Sequence, residues 1–310
     1  MKKFLINTAV VCGLVLVMFV AVELLLLTQT NVYSYKRQYI ENHLNTLEIV
    51  FFGNSHIEEA VKPEFVGENC FNLAISGRSV VYDVELAKRY IPKMSNLKTV
   101  FMPLDYPKFS LGRSVKNEHE KRVIEMDFAS LYKCMYTKYM DIHVDGIWYW
   151  SEILNSELNY MTRFFKSAVR NRECDSLGYI ALDVSKRSPN WEYRNMPPII
   201  DVSKPIDTVQ FNILKSQYRT FAELTKNAGV RLVLLGTPLY KTYLDDLNPA
   251  VLNEIESFVA DLQRDFSNVE FFDFTADKDF LPEDFNDASH LTDSGAEKFS
   301  KKLKLVVEKN

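Results

Sequence analysis

The chain has 310 residues, with 37 basic and 41 acidic side chains that give a formal net charge of −4 at pH 7. This length allows two ordinary domains or one large α/β domain, and it is sufficient to bury a sizeable hydrophobic core. A weakly acidic chain lacks the basic surface that nucleic-acid binding requires, so nucleic acid is excluded as a partner.

The first element is an apolar leader. Lys2 and Lys3 precede the apolar segment Phe4–Leu27, which is long enough to cross the hydrocarbon core of a bilayer. It is longer than the apolar region of a signal peptide and ends without the small residues of a cleavage site. An uncleaved, single-pass anchor over residues 1–30 is therefore favoured over a cleaved signal. The two lysines predict a cytoplasmic amino terminus, which places residues 31–310 on the extracytoplasmic side of the cell membrane, periplasmic or extracellular.

Beyond the leader, short apolar runs alternate with segments of helical periodicity. Strands are predicted at residues 48–52, 70–75, 99–104, 230–235 and 269–274. Helices are predicted at residues 80–91, 208–226 and 251–266, and from about Gly295 to the end of the chain. This alternation is typical of parallel β-α-β units with helices on both faces of one sheet. We therefore predict a three-layer α/β/α sandwich of the flavodoxin-like type, preceded by one transmembrane helix.

A segment from about residue 110 to 205 interrupts the alternation, and it is rich in aromatic residues with mostly helical periodicity. We interpret it as a mainly helical insertion at the carboxyl end of the third strand, within a single domain spanning residues 31–310. Ligands bind at that edge of an open parallel sheet. Aromatic runs such as Trp148-Tyr149-Trp150 are interpreted either as surfaces that stack on sugar rings or, more commonly, as core packing.

Ser55 follows the first predicted strand in the sequence Gly53-Asn54-Ser55-His56. Glycine permits a tight turn at this point. A serine at the start of a helix projects its hydroxyl above the sheet edge, where the helix dipole favours developing negative charge. The alternative is that Ser55 only caps the helix, because Ser55 and Glu58 match the capping-box pattern.

Asp287 and His290 lie just before the last predicted helix, whose start is indicated by the capping-box pattern of Ser294 and Glu297. A spacing of three residues lets the carboxylate reach Nδ1 of the imidazole. That contact fixes the tautomer and leaves Nε2 free as a base. The alternative is an ordinary surface Asp-His pair. A metal site requires further ligands at suitable spacing, and none is evident, so neither a metal nor a cofactor is predicted.

Gly77 follows the second predicted strand and is, taken alone, an ordinary turn glycine. Next to a serine nucleophile, its backbone N–H is also a candidate oxyanion donor, together with that of Ser55. A hydroxyl nucleophile needs a base, and the base needs an orienting group, so these loops in combination predict a complete acyl-transfer site. Four further residues are predicted to line the cleft: Asn54, His56, Asn72 and Asp105.

The blocks Gly53-Asn54-Ser55-His56, Asn72 to Gly77 and Asp287-x-x-His290 resemble, in that order, those of the SGNH (GDSL-like) hydrolase superfamily. The resemblance covers nearly the whole body of the chain beyond the leader. The overall plan is similar to membrane-anchored members that modify cell-envelope polymers, such as DltD-like proteins and O-acetylation proteins of exported polysaccharides. The resemblance implies Ser55 as nucleophile, His290 as base and Asp287 as its orienting group. It also implies backbone oxyanion donors at Ser55 and Gly77.

Two residues depart from the superfamily pattern. Asn54 stands where an aspartate usually precedes the serine, and the third strand runs into Asp105 without the usual oxyanion asparagine. Loss of one oxyanion donor costs about 10²–10³ in rate.

We expect an extracytoplasmic serine esterase or O-acyltransferase. Its expected substrate is an acylated envelope or exported glycan, or a small acyl ester. Proteins of envelope biosynthesis are candidate partners. The alternative is a catalytically weak or inactive protein of the same fold that binds glycans or assists envelope-polymer assembly.

Overall fold

The computed structural model of the protein describes residues 1–28, 31–104, 106, 134–143, 150–151, 154, 173–193 and 208–309. The chain forms two compact units: Met1–Gln38 with Asn117–Glu173, and Tyr39–Lys116 with Cys174–Asn310. The predicted boundary after residue 30 and the predicted insertion at about 110–205 stay predictions, because most of that insertion lies outside the described residues.

The first unit contains the apolar helix α1 (Lys2–Thr28), most of α2 (Val32–Asn42) and a π-helical turn at Tyr136–Met140. Helix α1 is long and apolar enough to cross a membrane, and a signal sequence near the amino terminus shares these properties. Glu23 is the one acidic residue in α1, and its side chain is buried. Its carboxylate lies 2.7 Å from Nζ of Lys138 and 2.6 Å from Oγ of Ser151.

The second unit is built on a five-stranded sheet. Its strands are β1 (Ile49–Phe51), β2 (Cys70–Asn72), β3 (Thr99–Pro103), β4 (Arg231–Gly236) and β5 (Val269–Asp273). All neighbours are parallel, in the order β2-β1-β3-β4-β5. Val50 of β1 is in register with Phe71 on one side and Val100 on the other, and all three side chains are fully buried. Such continuous burial is typical of parallel strands covered on both faces.

Helices surround this sheet, which confirms the predicted α/β architecture. They are α3 (Ser55–Glu58), α4 (Val80–Tyr90), α5 (Thr208–Asn227), α6 (Lys241–Asp245), α7 (Pro249–Asp265) and α8 (Asp293–Glu308). Single 3₁₀ turns occur at Pro63–Phe65, Ile91–Lys93, Val184–Lys186, Trp191–Tyr193 and Pro282–Asp284. Helix α5 packs against both α4 and α7, whereas α8 packs against the turns at Pro63–Phe65 and Pro282–Asp284.

The start of α8 differs from its prediction. The helix begins at Asp293, and its N-cap is Thr292, whose Oγ1 accepts a hydrogen bond from the N–H of Gly295 at 3.3 Å. The capping box predicted for Ser294 and Glu297 is therefore wrong. Two hydroxyl residues lie within one turn, and the sequence pattern does not distinguish which of them takes the extended backbone of a cap.

Candidate active site

Ser55 is the first residue of α3, directly beyond the carboxyl end of β1. The turn between them depends on Gly53, whose φ of +124° is a conformation that residues with a side chain rarely adopt. A Cβ at this position would also lie 2.4 Å from Cδ of Pro103. The N–H of Gly53 donates to the buried carboxylate of Asp83 at 3.1 Å. The serine hydroxyl is therefore presented by a turn that the sheet and α4 both hold.

Helix α3 is capped by Asn54, not by Ser55. The Oδ1 of Asn54 accepts a hydrogen bond from the N–H of His56 at 3.1 Å. The capping box proposed for Ser55 and Glu58 is consequently wrong, and the Ser55 hydroxyl is used elsewhere. As the first helical residue, Ser55 also contributes one of the N–H groups that have no acceptor within the helix.

Asp287 and His290 form a tight turn ahead of α8. The N–H groups of Ser289 and His290 donate to Oδ1 of Asp287 at 2.9 and 3.0 Å, and the N–H of Asn286 donates to the carbonyl of His290 at 2.8 Å. These backbone contacts fix the position of the carboxylate relative to the imidazole. The placement on a loop agrees with the interpretation of the sequence.

Ser55, His290 and Asp287 form a continuous chain of side-chain contacts. Nδ1 of His290 lies 2.9 Å from each carboxylate oxygen of Asp287, and Nε2 lies 2.9 Å from Oγ of Ser55. A proton on Nδ1 satisfies the carboxylate, so Nε2 accepts the hydrogen bond of the serine hydroxyl. The arrangement has the geometry of a nucleophile, a base and an orienting group.

The electrostatics keep Asp287 ionised. Burial raises the pKa of its carboxyl, but the charge of His290 and the hydrogen bonds from His290 and Ser289 outweigh burial and lower the pKa to about 2. A carboxylate that stays charged at neutral pH stabilises an imidazolium beside it. An imidazole enters this state when it removes a proton from a neighbouring hydroxyl.

Glu58 and Glu59 were not among the predicted site residues, yet both are buried beside the site. Oε2 of Glu58 accepts hydrogen bonds from the N–H and the Oγ of Ser76, at 2.8 and 2.6 Å, and Oε1 of Glu59 lies 3.0 Å from the same hydroxyl. Oε2 of Glu59 also lies 3.9 Å from Nε2 of His290. Two adjacent acids shortly after a candidate nucleophile were the only sequence signal for this cluster.

Gly77 directly follows Ser76 and has φ +75°, so it occupies a left-handed turn after β2. Glu58 therefore joins the helix that carries Ser55 to the turn that carries Gly77. The roles of Ser55 and Gly77 as oxyanion donors stay predictions.

The four predicted cleft residues have different outcomes. Asn54 is a half-buried helix cap, and His56 is 9% exposed with its ring centroid 5.0 Å from that of His290. Asn72 does not line a cleft, because its side chain is fully buried and its Nδ2 donates to the carbonyls of Ile57 and Val61, both at 2.9 Å. Asp105 lies outside the described residues.

The tryptophans of the predicted insertion that the structure describes differ: Trp150 is 42% exposed, with Nζ of Lys138 5.0 Å from its ring, whereas Trp191 is buried. It is 8% exposed, and its ring lies 4.7 Å from that of Tyr240 and 3.7 Å from the guanidinium of Arg187. Packing therefore accounts for this tryptophan. Trp148 and Tyr149 lie outside the described residues.

Within the described ranges, no group of three or more histidine, cysteine, aspartate or glutamate side chains is arranged to hold a metal ion. The expectation that the site needs no metal or cofactor stays a prediction, because it rests on the chemistry of the triad.

No family model matches the chain. No curated protein matches it either. Several solved structures are similar to it, and three of them match it over most of their length.

A proposed platelet activating factor from Streptococcus pneumonia is 11% identical, with a TM-score of 0.43, covering 96% of this chain and 99% of the other. A GDSL-like lipase from Bacteroides thetaiotaomicron is 13% identical, with a TM-score of 0.41 and coverages of 90% and 98%. A proposed acylhydrolase from Bacteroides fragilis is 11% identical, with a TM-score of 0.40 and coverages of 88% and 95%. Identities this low leave the function to be inferred from the chemistry of the site.

Proposed function

We propose that this protein is a serine esterase or O-acyltransferase in which Ser55 is the nucleophile. One observation carries the proposal: Oγ of Ser55 lies 2.9 Å from Nε2 of His290, whose Nδ1 lies 2.9 Å from the Asp287 carboxylate. A serine hydroxyl is a weak nucleophile unless a neighbouring base accepts its proton. The contact between Nε2 of His290 and Oγ of Ser55 supports this assignment of base and nucleophile.

Catalysis begins when Oγ of Ser55 attacks the carbonyl carbon of an ester while its proton moves to Nε2 of His290. The carbonyl oxygen becomes an oxyanion, for which the N–H groups of Ser55 and Gly77 are the proposed donors. Collapse of this intermediate breaks the bond to the alcohol oxygen, which takes the proton from His290. An acyl group then remains on Ser55, and the alcohol leaves.

The acyl group next passes to an acceptor hydroxyl. Nε2 of His290 takes the acceptor's proton as the acceptor oxygen attacks the acyl carbon, and that proton returns to Oγ of Ser55 when the acyl-enzyme bond breaks. Water as acceptor makes the protein an esterase, and a sugar hydroxyl makes it an O-acyltransferase. Both outcomes use the same three residues.

The proposed location is the extracytoplasmic face of the cell membrane, and the proposed substrate is an acylated envelope or exported glycan. The apolar helix α1 supports membrane attachment, and Lys2 and Lys3 support a cytoplasmic amino terminus. The sugar acceptor rests on the resemblance to envelope-modifying proteins, as do candidate partners in envelope biosynthesis.

Replacing Ser55 with alanine tests the activity. We expect Ser55→Ala to lower turnover of p-nitrophenyl acetate by a factor of about 10³ or more, because the remaining groups only bind and polarise the ester. The circular dichroism spectrum and the melting temperature should be retained, since the substitution removes one half-buried hydroxyl.

Ser257→Ala is the matched control, because Ser257 lies on the exposed side of α7 and its hydroxyl donates to the backbone carbonyl of Asn253 in the same helix. A fluorophosphonate probe should label the wild type and Ser257→Ala, but not Ser55→Ala. Unchanged acetate turnover by Ser55→Ala would remove the proposal. Glycan binding by a wild type that the probe does not label would favour the non-catalytic alternative.

A further inference from the structure

A pocket lies between α7 and the carboxyl ends of β3, β4 and β5, entirely within the second unit. Its empty volume is about 620 Å³, which includes space open to the solvent. Its lining is mostly apolar and includes Leu104, Leu239, Leu247, Ile255, Val259 and Phe271. The pocket therefore offers a hydrocarbon surface at the edge of the sheet where ligands of parallel folds bind.

The charges around the pocket narrow the class of ligand. Apart from His56, the polar groups that line it are hydroxyls and carboxylates, the latter from Glu256 and Asp273. None of the described residues that line it is a lysine or an arginine. An anionic ligand would meet unfavourable charge here, whereas a neutral hydrocarbon group gains from leaving water.

His56 joins this pocket to the catalytic site. It follows Ser55 in α3, it lines the pocket, and its ring lies 5.0 Å from the ring of His290. Gly77 follows β2, which lies on the opposite side of β1 from β3, β4 and β5. With the carbonyl oxygen of an ester toward Gly77, one of the two remaining substituents of the carbonyl carbon can extend toward the pocket.

We propose that this pocket binds the acyl chain of the substrate, so that the enzyme prefers linear acyl groups longer than acetyl. The inference rests on the proposed function, because it requires Ser55 to attack the carbonyl carbon. The acyl chain is the part of an acylated glycan that is hydrocarbon, and the alcohol part is polar and suits water better than this lining. Each methylene that enters the pocket raises kcat/KM about fourfold until the pocket is full.

The first experiment compares p-nitrophenyl acetate, butyrate and octanoate, each below its micelle concentration, with the wild-type full-length protein. We expect kcat/KM to be at least about ten times higher for octanoate than for acetate. Two substitutions then reduce the pocket: Val259→Trp fills its interior, and Leu252→Trp fills its rim. Each should lower the ratio of octanoate to acetate kcat/KM at least about fivefold.

Leu252 is 37% exposed, so its substitution keeps the test available if Val259→Trp, at a buried position, fails to fold. Ala260→Trp is the matched control, because Ala260 neighbours Val259 in α7 but faces the solvent, and it should leave the ratio unchanged. Equal kcat/KM for acetate and octanoate, or an unchanged ratio in both pocket variants, would overturn the acyl-chain assignment while leaving Ser55 chemistry intact. Ser55→Ala with full activity would instead overturn the proposed function itself.

Discussion

At the scale of single residues, the proposed chemistry depends on which nitrogen of His290 faces Ser55. Both carboxylate oxygens of Asp287 contact Nδ1 of His290, and Oδ1 also accepts hydrogen bonds from the backbone N–H groups of Ser289 and His290. A carboxylate held by so many donors binds a proton poorly, which is why its pKa falls to about 2 in spite of burial. Nε2 is therefore left as the basic nitrogen toward the serine hydroxyl.

Asp287→Asn should separate this orienting role from simple packing. An amide can donate to Nδ1 and so stabilise the wrong tautomer, and we expect kcat to fall by about 10³–10⁴ with a small change in KM. Steady-state kinetics with p-nitrophenyl acetate measure this. Asp261→Asn, at an exposed ion pair on α7, is the control and should keep full activity. A loss of less than tenfold in Asp287→Asn would contradict the orienting role.

The pH profile of the wild type supplies a second check. Because the pKa of Asp287 in the folded state, about 2, lies below the ordinary value near 3.9, its contribution to stability is complete above about pH 4 and is lost as the pH falls through about 2. Between pH 4 and 8, the Asp287 carboxyl should therefore stay ionised and contribute no step to the pH profile of kcat/KM. An ionisation of the Asp287 carboxyl in that range would be inconsistent with the structure.

At the scale of elements, the site is assembled where β1, β2 and α3 meet. Helix α3 has only four residues, so its position is set by tertiary contacts instead of its own helical stability. Asn72 at the end of β2 donates to two carbonyls in and after α3, and Glu58 of α3 binds Ser76 in the turn after β2. These contacts fix the proposed nucleophile relative to the turn with Gly77.

Glu58→Gln tests whether this connection positions the turn for catalysis. Loss of the charged acceptor weakens two hydrogen bonds to Ser76, and a small displacement of an oxyanion donor is costly, so we expect kcat to fall about 10- to 100-fold with KM changing less than threefold. Glu64→Gln, at an exposed position in the neighbouring 3₁₀ turn, is the control.

A double-mutant cycle with Ser76→Ala distinguishes positioning from general destabilisation. If Glu58 acts through Ser76, the double variant should lose little more activity than Glu58→Gln alone. Fully additive losses, or a kcat that follows the melting temperature alone, would show that Glu58 only supports the fold.

At the scale of the whole molecule, α1 carries a buried acid that an ordinary membrane span does not need. The side chains of Glu23 and Lys138 are 1% and 0% exposed, and their charged groups lie 2.7 Å apart. Removing one partner of a buried ion pair leaves an uncompensated charge, which typically costs about 3–5 kcal/mol. Cleavage of the leader would remove Glu23 and leave the buried charge of Lys138 uncompensated. We therefore expect the mature protein to retain residues 1–28.

The intact mass of the mature protein, and its resistance to carbonate extraction from membranes, test directly whether residues 1–28 are retained. A mature protein with a cleaved amino terminus would contradict this expectation. In detergent, Glu23→Ala should lower the free energy of unfolding of the first unit by about 3 kcal/mol, and Glu23→Leu with Lys138→Met should recover most of that loss. Val20→Ala, at an exposed position of the same helix, is the control and should change it little.

The sequence by itself determined the α/β class, the strand positions and the three loops of the candidate site. Buried parallel strands need continuous apolar runs, and the active loops need glycine, serine, aspartate and histidine at short, local spacings. These patterns involve residues that are close together in the chain, so they can be recognised in one sequence. The same locality explains the wrong capping boxes at Ser55 and Ser294, because several residues in one turn match the cap pattern and tertiary contacts select among them.

Only the tertiary structure decided which side chains meet across the sheet. Ser55 and His290 are 235 residues apart, and their contact exists because β1 and the turn before α8 reach the same part of the molecule. Glu58, which only completed the capping-box alternative for Ser55, accepts a hydrogen bond from Ser76. Asn72, predicted to line the cleft, is instead buried and donates to a backbone carbonyl of α3. Such roles are set by what lies across the packed interface, which local residue patterns do not encode.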